Sequence, residues 1–168
     1  PFTDGVMLDE DTFIVATRQH LATVAVANGT VSTVAQLACP TRLARAADGS
    51  ILGIAGRHLW RYSSAAGFEP DALPLPEGDW SGLTFQRALD SSSGLLYLAD
   101  AAGRLYTYEP ASGFSPLLAR TPLTPIGAMA ATFDGRLFGA CGEGIANLFC
   151  YDLANQSMRN LGVAASVI

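Results

Sequence analysis

A four-residue pattern recurs along this 168-residue chain: a leucine, an aromatic residue, any residue and a tyrosine. The copies are Leu59-Trp60-Arg61-Tyr62, Leu105-Tyr106-Thr107-Tyr108 and Leu148-Phe149-Cys150-Tyr151, preceded by a degenerate Leu21-Ala22-Thr23-Val24. They lie about 42 residues apart, a period typical of chains in which each repeat forms one supersecondary unit. The structure of one repeat therefore decides the architecture of the whole chain.

The third repeat is the clearest to interpret. Its segments 84–89, 95–99, 104–108 and 114–119 have strand composition, and the residues between them are rich in Asp, Ser and Gly. Asp-Gly pairs, the strongest short hairpin signal, recur at Asp48-Gly49 and Asp134-Gly135. Four strands and three turns in about 36 residues leave no room for a helix. A period near 42 with four strands per repeat predicts the blades of a β-propeller.

The prediction is thus an all-β chain with about four four-stranded blades, belonging to a six- to eight-bladed propeller. The single propeller domain spans 1–168, with approximate blades at 5–38, 42–76, 83–119 and 126–162. Residues 163–168 are expected to begin a further inner strand without a hairpin partner in these repeats. Because unpaired backbone groups are costly, we expect that strand to pair outside the four repeats. Association would then run along the open sides of the first and fourth blades.

The repeat pattern also predicts where its side chains point, because side chains alternate between the two faces of a strand. We expect Trp60, Tyr106 and Phe149 to face one neighbouring blade. Leu59 and Tyr62 are expected to face the other blade or the rim. Burying such a ring between sheets is worth about 2–3 kcal/mol, so packing is its expected role.

Composition excludes several classes of function. The net charge is −5, and the ten basic residues are all arginine. An acidic chain without a basic cluster is a poor candidate for binding nucleic acid or an anionic membrane. The absence of lysine excludes Schiff-base chemistry. No stretch approaches 18 consecutive apolar residues, so the sequence predicts no transmembrane helix.

The three cysteines do not form a disulfide framework or a zinc site by their spacing. Cys141 and Cys150 flank a turn, but centring that turn places Cys141 opposite Leu148, and a bond would need a bulge. Free, buried thiols are therefore expected, and Cys39 has no obvious partner. No metal or other cofactor is predicted.

Polar residues at one end of the predicted blades make up the candidate site. His20 and His58 occupy equivalent turns between second and third strands, immediately before the repeat leucine, and each has an arginine nearby. Such turns could bind a carboxylate or perform acid–base chemistry, and they could equally be exposed hairpin ends. The candidate catalytic residues are His20, His58 and Glu143. The candidate ligand-binding residues are Arg18, Arg57, Arg104, Arg120, Trp80 and Asp100.

Two resemblances rest on particular motifs. Asp-Gly-x-Leu-Phe-Gly at 134–139, followed by the run from Leu148 to Asp152, resembles kelch-type and quinoprotein-type propeller repeats. Asp48-Gly49 with 59–62 resembles a blade of four-bladed hemopexin-like domains. The first resemblance implies a propeller fold in families that include dehydrogenases, sugar oxidases, polysaccharide lyases and binding modules. No cofactor is carried over from them.

Two functional hypotheses from different classes follow. The first is a binding or scaffold module for a ligand or partner, with carbohydrate as one ligand class. The alternative is a lyase or hydrolase acting on acidic polysaccharide, with its site at the channel mouth. The partners expected for either are the remaining propeller blades or a second copy of the chain.

Overall fold

The computed structural model describes residues 1–166, in which every regular element is a β-strand. Sheet 1 contains β1 (Phe2–Met7), β2 (Thr12–Thr17), β3 (His20–Ala25) and β4 (Val31–Gln36). Sheet 2 contains β5 (Ala44–Arg45), β6 (Ile51–Ala55), β7 (His58–Ser63) and β8 (Gly67–Pro74). Sheet 3 contains β9 (Gln86–Leu89), β10 (Leu96–Ala99), β11 (Arg104–Glu109), β12 (Gly113–Phe114) and β13 (Ala119–Arg120). Sheet 4 contains β14 (Ile126–Ala131), β15 (Arg136–Cys141), β16 (Ile145–Asp152) and β17 (Ser157–Ser166).

Each sheet is antiparallel, and its strands are hydrogen-bonded in the order in which they occur along the chain. The predicted all-β class with four four-stranded sheets is therefore confirmed. In sheet 3 the outer strand is interrupted, and its two pieces, β12 and β13, both pair with β11. Pro116 lies in the interruption, where it cannot donate a backbone hydrogen bond to the ladder.

The chain divides into two compact units. The first consists of residues 1–76 and 80–84 and contains sheets 1 and 2. The second consists of residues 77–79 and the chain from residue 85 onward, and contains sheets 3 and 4. Each unit has its own hydrophobic cluster.

In the first unit, Leu21 of sheet 1 and Trp60 of sheet 2 belong to one buried cluster. The Trp60 ring lies against Gly53, its direct cross-strand partner, where a Cβ atom would collide with the indole. Phe68 packs on the same ring with centroids 5.4 Å apart and planes tilted by 46°. Glycine is thus required beside the large ring, because another side chain there would displace it.

The second unit repeats this arrangement. Leu105 of sheet 3 and Phe149 of sheet 4 share a cluster, and the Phe149 ring lies against Gly139, its cross-strand partner. In both units, a repeat leucine from one sheet and a repeat aromatic from the next therefore pack in the same core. We refer to this pairing as the leucine–ring seam.

One prediction about the repeat is wrong. Trp60 and Tyr62 pack in the same cluster, as do Phe149 and Tyr151, whereas we expected Tyr62 to point away from Trp60. Side chains two residues apart in a strand lie on the same face, so the aromatic residue and the tyrosine of the pattern point together.

The predicted inner strand after residue 162 is also corrected. Residues 163–166 continue β17, the outer strand of sheet 4, with Val163 opposite Asn147 and Ser166 opposite Ile145. The eight-residue β16 is long enough to pair with this extension, and Gly162, at φ 95°, lies at one of two irregularities in the register. Residues 167 and 168, which belong to the same prediction, lie outside the described residues.

The cysteines are free, and Cys141 and Cys150 are buried as predicted. Cys141 lies opposite Asn147 rather than Leu148, because β16 already begins at Ile145. Cys141 packs in the cluster of the second unit, whereas Cys150, opposite Phe138, is on the other face of the sheet. Within residues 1–166, no helix is long and apolar enough to cross a membrane.

The core of the second unit also contains polar groups. The hydroxyls of Tyr97 and Tyr151 are buried without a hydrogen-bond partner among residues 1–166. Burial, and to a lesser extent the Asp90 carboxylate, raises the pKa of Tyr97 to about 12. Asp90 is itself buried, and hydrogen bonds from the hydroxyls of Ser92 and Ser93, both at 2.6 Å, lower its pKa.

Candidate functional site

The location of the candidate residues follows from the antiparallel order of the strands in each sheet. The turn between second and third strands and the connection leaving the fourth strand lie at one end of each sheet, which we call the turn end. Equivalent backbone hydrogen bonds join these segments in three sheets: Leu37 N–H to Gln19 O (2.7 Å), Leu75 N–H to Arg57 O (3.0 Å) and Thr121 N–H to Gly103 O (2.8 Å). The repeat thus builds a similar turn end each time, with different side chains.

Both histidines begin a third strand and are exposed. The His20 side chain makes no hydrogen bond or ion pair with residues 1–166. His58 Nδ1 lies 3.6 Å from Asp71 Oδ1, and the two side chains are 47% and 73% exposed. A histidine paired with so exposed a carboxylate is only weakly oriented, since solvent screens the pair.

The arginines beside these histidines are also exposed. Arg18 lines a shallow depression of sheet 1 together with Gln19, Gln36, Leu37 and Ala38. Arg57 takes part in the turn through its backbone carbonyl. Neither guanidinium has an ion-pair partner in the described part of the chain. The structure therefore leaves both side chains accessible.

Two other candidates occupy different settings. Glu143 is exposed at the tip of the β15–β16 turn, between two glycines with positive φ. Trp80 is half-buried, and its indole N–H donates to the Pro76 carbonyl oxygen at 2.9 Å. That bond ties Trp80 to the connection in which it lies.

At the turn end of sheet 3 the structure brings candidates together. Asp100 is buried, and its carboxylate accepts hydrogen bonds from the Arg104 backbone N–H (2.7 Å), the Arg104 guanidinium (3.1 Å) and the Asp79 backbone N–H (2.7 Å). The Ala101 N–H also donates to the Asp79 carbonyl at 3.0 Å. Asp100 thus fixes both its own turn and the segment 77–79, and none of its side-chain surface is exposed.

Tyr106 is buried next to Asp100 and the segment 77–79. Its hydroxyl donates to the Glu77 carbonyl oxygen at 2.7 Å. Burial raises the pKa of Tyr106, and the nearby Asp100 carboxylate raises it further, while Arg104 and Arg120 act in the opposite direction. The phenol is therefore surrounded by three of the sequence-predicted residues.

Arg104 and Arg120 are direct cross-strand partners in the pairing of β11 with β13. The Arg104 side chain is 22% exposed and held by Asp100, whereas Arg120 is exposed and has no ion-pair partner among residues 1–166. A fixed guanidinium and a free one are thus directly opposite each other. Together with Tyr106 and the segment 77–79 they form what we call the arginine site.

The sequence analysis did not assign Tyr106 to a site. Tyr106 occupies the aromatic position of the repeat, which predicted packing alone. Its hydroxyl group, unlike the rings of Trp60 and Phe149, was the signal for a polar role. No group of three or more metal-binding side chains occurs in the part of the chain that the structure describes.

Comparison with known proteins shows the fold. No protein-family model matches the chain, and no curated protein sequence does. Streptogramin B lyase superposes with a TM-score of 0.76 at 10% identity, covering 98% of this chain and 55% of its own. The WD40 repeats of RRP9 give a TM-score of 0.69 at 13% identity, covering 96% and 52%. The chain folds as blades of a β-propeller.

The tricorn protease gives a further match, with a TM-score of 0.68 at 16% identity, covering 94% of this chain. This chain spans about half the length of the lyase and RRP9 chains, and 16% of the tricorn chain. At these identities the likeness concerns the arrangement of strands, and function has to be argued from the residues themselves.

Proposed function

We propose that the chain is a propeller binding module whose arginine site holds a carboxylate of the ligand. The observation that carries the proposal is the direct cross-strand pairing of Arg104 with Arg120. Like charges directly opposite each other destabilise a sheet. A carboxylate bound between them turns that repulsion into attraction, because each guanidinium can donate two parallel hydrogen bonds.

The surrounding groups favour an acidic sugar over a free anion. Asp100 offsets the charge of Arg104, and the exposed side chains of Glu77 and Asp79 add negative charge nearby. Arg120 is thus the guanidinium of this site without an ion-pair partner among residues 1–166, and one such group suits the single charge of a carboxylate better than the double charge of a phosphate. Exposed carboxylates accept hydrogen bonds from hydroxyl groups, which an acidic carbohydrate supplies next to its own carboxylate. In this proposal Asp100 is a positioning residue for Arg104.

Isothermal titration calorimetry with trigalacturonate and with uncharged galactotriose tests this function. We expect binding of the acidic trisaccharide, about tenfold weaker or more in Arg120→Gln, which loses roughly the 1.4 kcal/mol or more of a charge-assisted contact. Binding should weaken with added salt, since the site is partly exposed. Arg45→Gln, which removes an exposed arginine from sheet 2, is the matched control and should bind normally.

Equal affinity for the charged and uncharged trisaccharides would contradict the proposal, as would full affinity in Arg120→Gln. Absence of any binding by the folded wild-type chain would reject acidic carbohydrate as the ligand.

The alternative is a lyase or hydrolase acting on acidic polysaccharide, with His20, His58 and Glu143 as candidate proton-transfer groups. In this alternative His58 would be the base, with the exposed Asp71 carboxylate 3.6 Å from its Nδ1. Arg57 and Arg18 would neutralise the uronate carboxylate. Ultraviolet absorbance from an unsaturated uronate product, lost in His58→Gln, would support the lyase.

As a scaffold, the module is proposed to associate with further propeller sheets. These belong either to the remaining blades of a larger propeller or to a second copy of the chain. Exposed apolar side chains on sheets 1 and 4, among them Met7 and Leu148, support this part of the proposal.

A further inference from the structure

One side of sheet 4 carries exposed apolar side chains, with Arg136, Asp152 and Arg159 on the same side towards the β14–β15 turn. It carries Phe138, Leu148 and Leu161, which are 39%, 41% and 51% exposed, and we call it the sheet-4 face. The exposed small side chains of Ala128 and Ala130 extend it across β14. Single exposed apolar residues are ordinary, but a contiguous row across several strands is typical of an interaction surface.

One side of sheet 1 has the same character. Met7 lies opposite Phe13, Phe13 opposite Val24, and Val24 opposite Val31, so that an apolar row crosses all four strands. We call this row the sheet-1 face. Met7 is 38% exposed and Val31 63% exposed. The Phe13 ring lies against Gly5, as the Trp60 ring lies against its own glycine.

The two faces carry the two halves of a leucine–ring seam. Leu148 is the repeat leucine of sheet 4, equivalent to Leu21 and Leu105, which pack with rings in the two cores. Sheet 1 has Ala22 where the other repeats have an aromatic residue. Phe13, on the neighbouring strand and on the same face as Ala22, supplies the missing ring.

We propose that the sheet-4 face of one copy of this chain binds the sheet-1 face of a second copy, continuing the leucine–ring seam between molecules. This inference rests on the proposed scaffold role and names its partner. Two copies together slightly exceed the length of the lyase and RRP9 chains, of which this chain spans 55% and 52%. The contact is head to tail, because it joins two different surfaces.

The test is light scattering coupled to size exclusion, on the full chain and on two single variants. We expect the wild type to associate into particles of two or more chains. Leu148→Glu and Met7→Glu should each weaken association about 30-fold or more, as at a strong interface position. Both side chains are exposed, so circular dichroism should show that the variants fold. Leu117→Glu changes an equally exposed leucine on neither face and should associate like wild type.

Mixing the two variants gives the sharper result. The Leu148→Glu chain keeps an intact sheet-1 face, and the Met7→Glu chain keeps an intact sheet-4 face. An equimolar mixture should therefore form mixed pairs through one unaltered seam.

A monomeric wild type would overturn the inference. The two faces would then be covered by further propeller blades or stay exposed to solvent. Association that survives Met7→Glu but not Leu148→Glu would indicate a contact between two sheet-4 faces and would overturn it too. Neither variant alters the arginine site, so ligand binding and association can fail independently.

Discussion

The unpartnered hydroxyl of Tyr97 leads to a prediction opposite to the usual effect of a core mutation. Tyr97→Phe removes one oxygen atom from a side chain that is fully buried and leaves the ring in place. A buried polar group without a partner costs about 1–3 kcal/mol. The substitution relieves that cost and loses only a few van der Waals contacts, so we expect stability to increase by about 1 kcal/mol.

Tyr106→Phe is the matched control, because it is the same chemical change in the same sheet. The Tyr106 hydroxyl donates to the Glu77 carbonyl oxygen at 2.7 Å, so its removal should lower stability by about 1 kcal/mol. For a chain of this length, each change corresponds to about 2–4 °C in melting temperature, upward for Tyr97→Phe and downward for Tyr106→Phe. Urea unfolding followed by circular dichroism measures both changes.

The pH dependence gives a second readout. The pKa of Tyr97 is raised from 10.0 in the unfolded chain to about 12 in the folded one. Below pH 10 the phenol is protonated in both states and the free energy of unfolding does not depend on its titration. As the pH rises from 10 towards 12, the unfolded chain releases the proton more readily than the folded chain, so the wild type loses stability. The advantage of Tyr97→Phe should therefore grow over that range. A loss of more than about 1 kcal/mol in Tyr97→Phe at neutral pH would refute the reasoning, since it would show that the hydroxyl has a favourable partner.

Three further outcomes can be measured by the same denaturant method. Trp60→Ala and Tyr108→Ala should each cost about 3–5 kcal/mol, as for other buried aromatic residues, and a loss below about 1 kcal/mol would mean that the rings are not part of the core. Ser93→Ala removes a hydrogen bond that lowers the Asp90 pKa, so it should reduce stability above pH 4. The variant should also lose less stability than the wild type as the pH falls through the pKa of Asp90 in the folded chain. Gly103→Ala should cost about 2 kcal/mol, because Gly103 has φ +75° and a Cβ atom would strike Thr121; stability equal to wild type would show that this turn can relax.

The strands were predictable because the chain repeats their signals. In the third repeat the predicted segments 95–99 and 104–108 differ from β10 and β11 by one residue. The outer strand of sheet 4 was not predictable in the same way. Its extension pairs with the unusually long β16, and strand composition alone does not distinguish an extended outer strand from a new inner one.

The arginine site shows a similar division. The sequence indicated Asp100, Arg104 and Arg120 as polar residues at one end of a blade. That Asp100 is buried, with its oxygen atoms already bonded to two backbone N–H groups and a guanidinium, depends on the position of segment 77–79. The repeat pattern puts this segment in a connection at the same end of the blades, but it does not predict the hydrogen bond from the Asp79 N–H to Asp100.

The leucine–ring seam has a consequence for how such a chain can change in length over evolution. Sheets 2 and 4 present the repeat leucine on one side and the repeat ring on the other, so a duplicate of either repeat would arrive with both complementary surfaces in place. Insertion between two existing sheets would create two new seams of the old kind and would need no compensating substitutions in the core. The glycine opposite the ring would be copied with it, since Gly53 and Gly139 lie in the same repeat as Trp60 and Phe149. The number of repeats can therefore change by a single genetic event, whereas the chemistry at each turn end can diverge residue by residue.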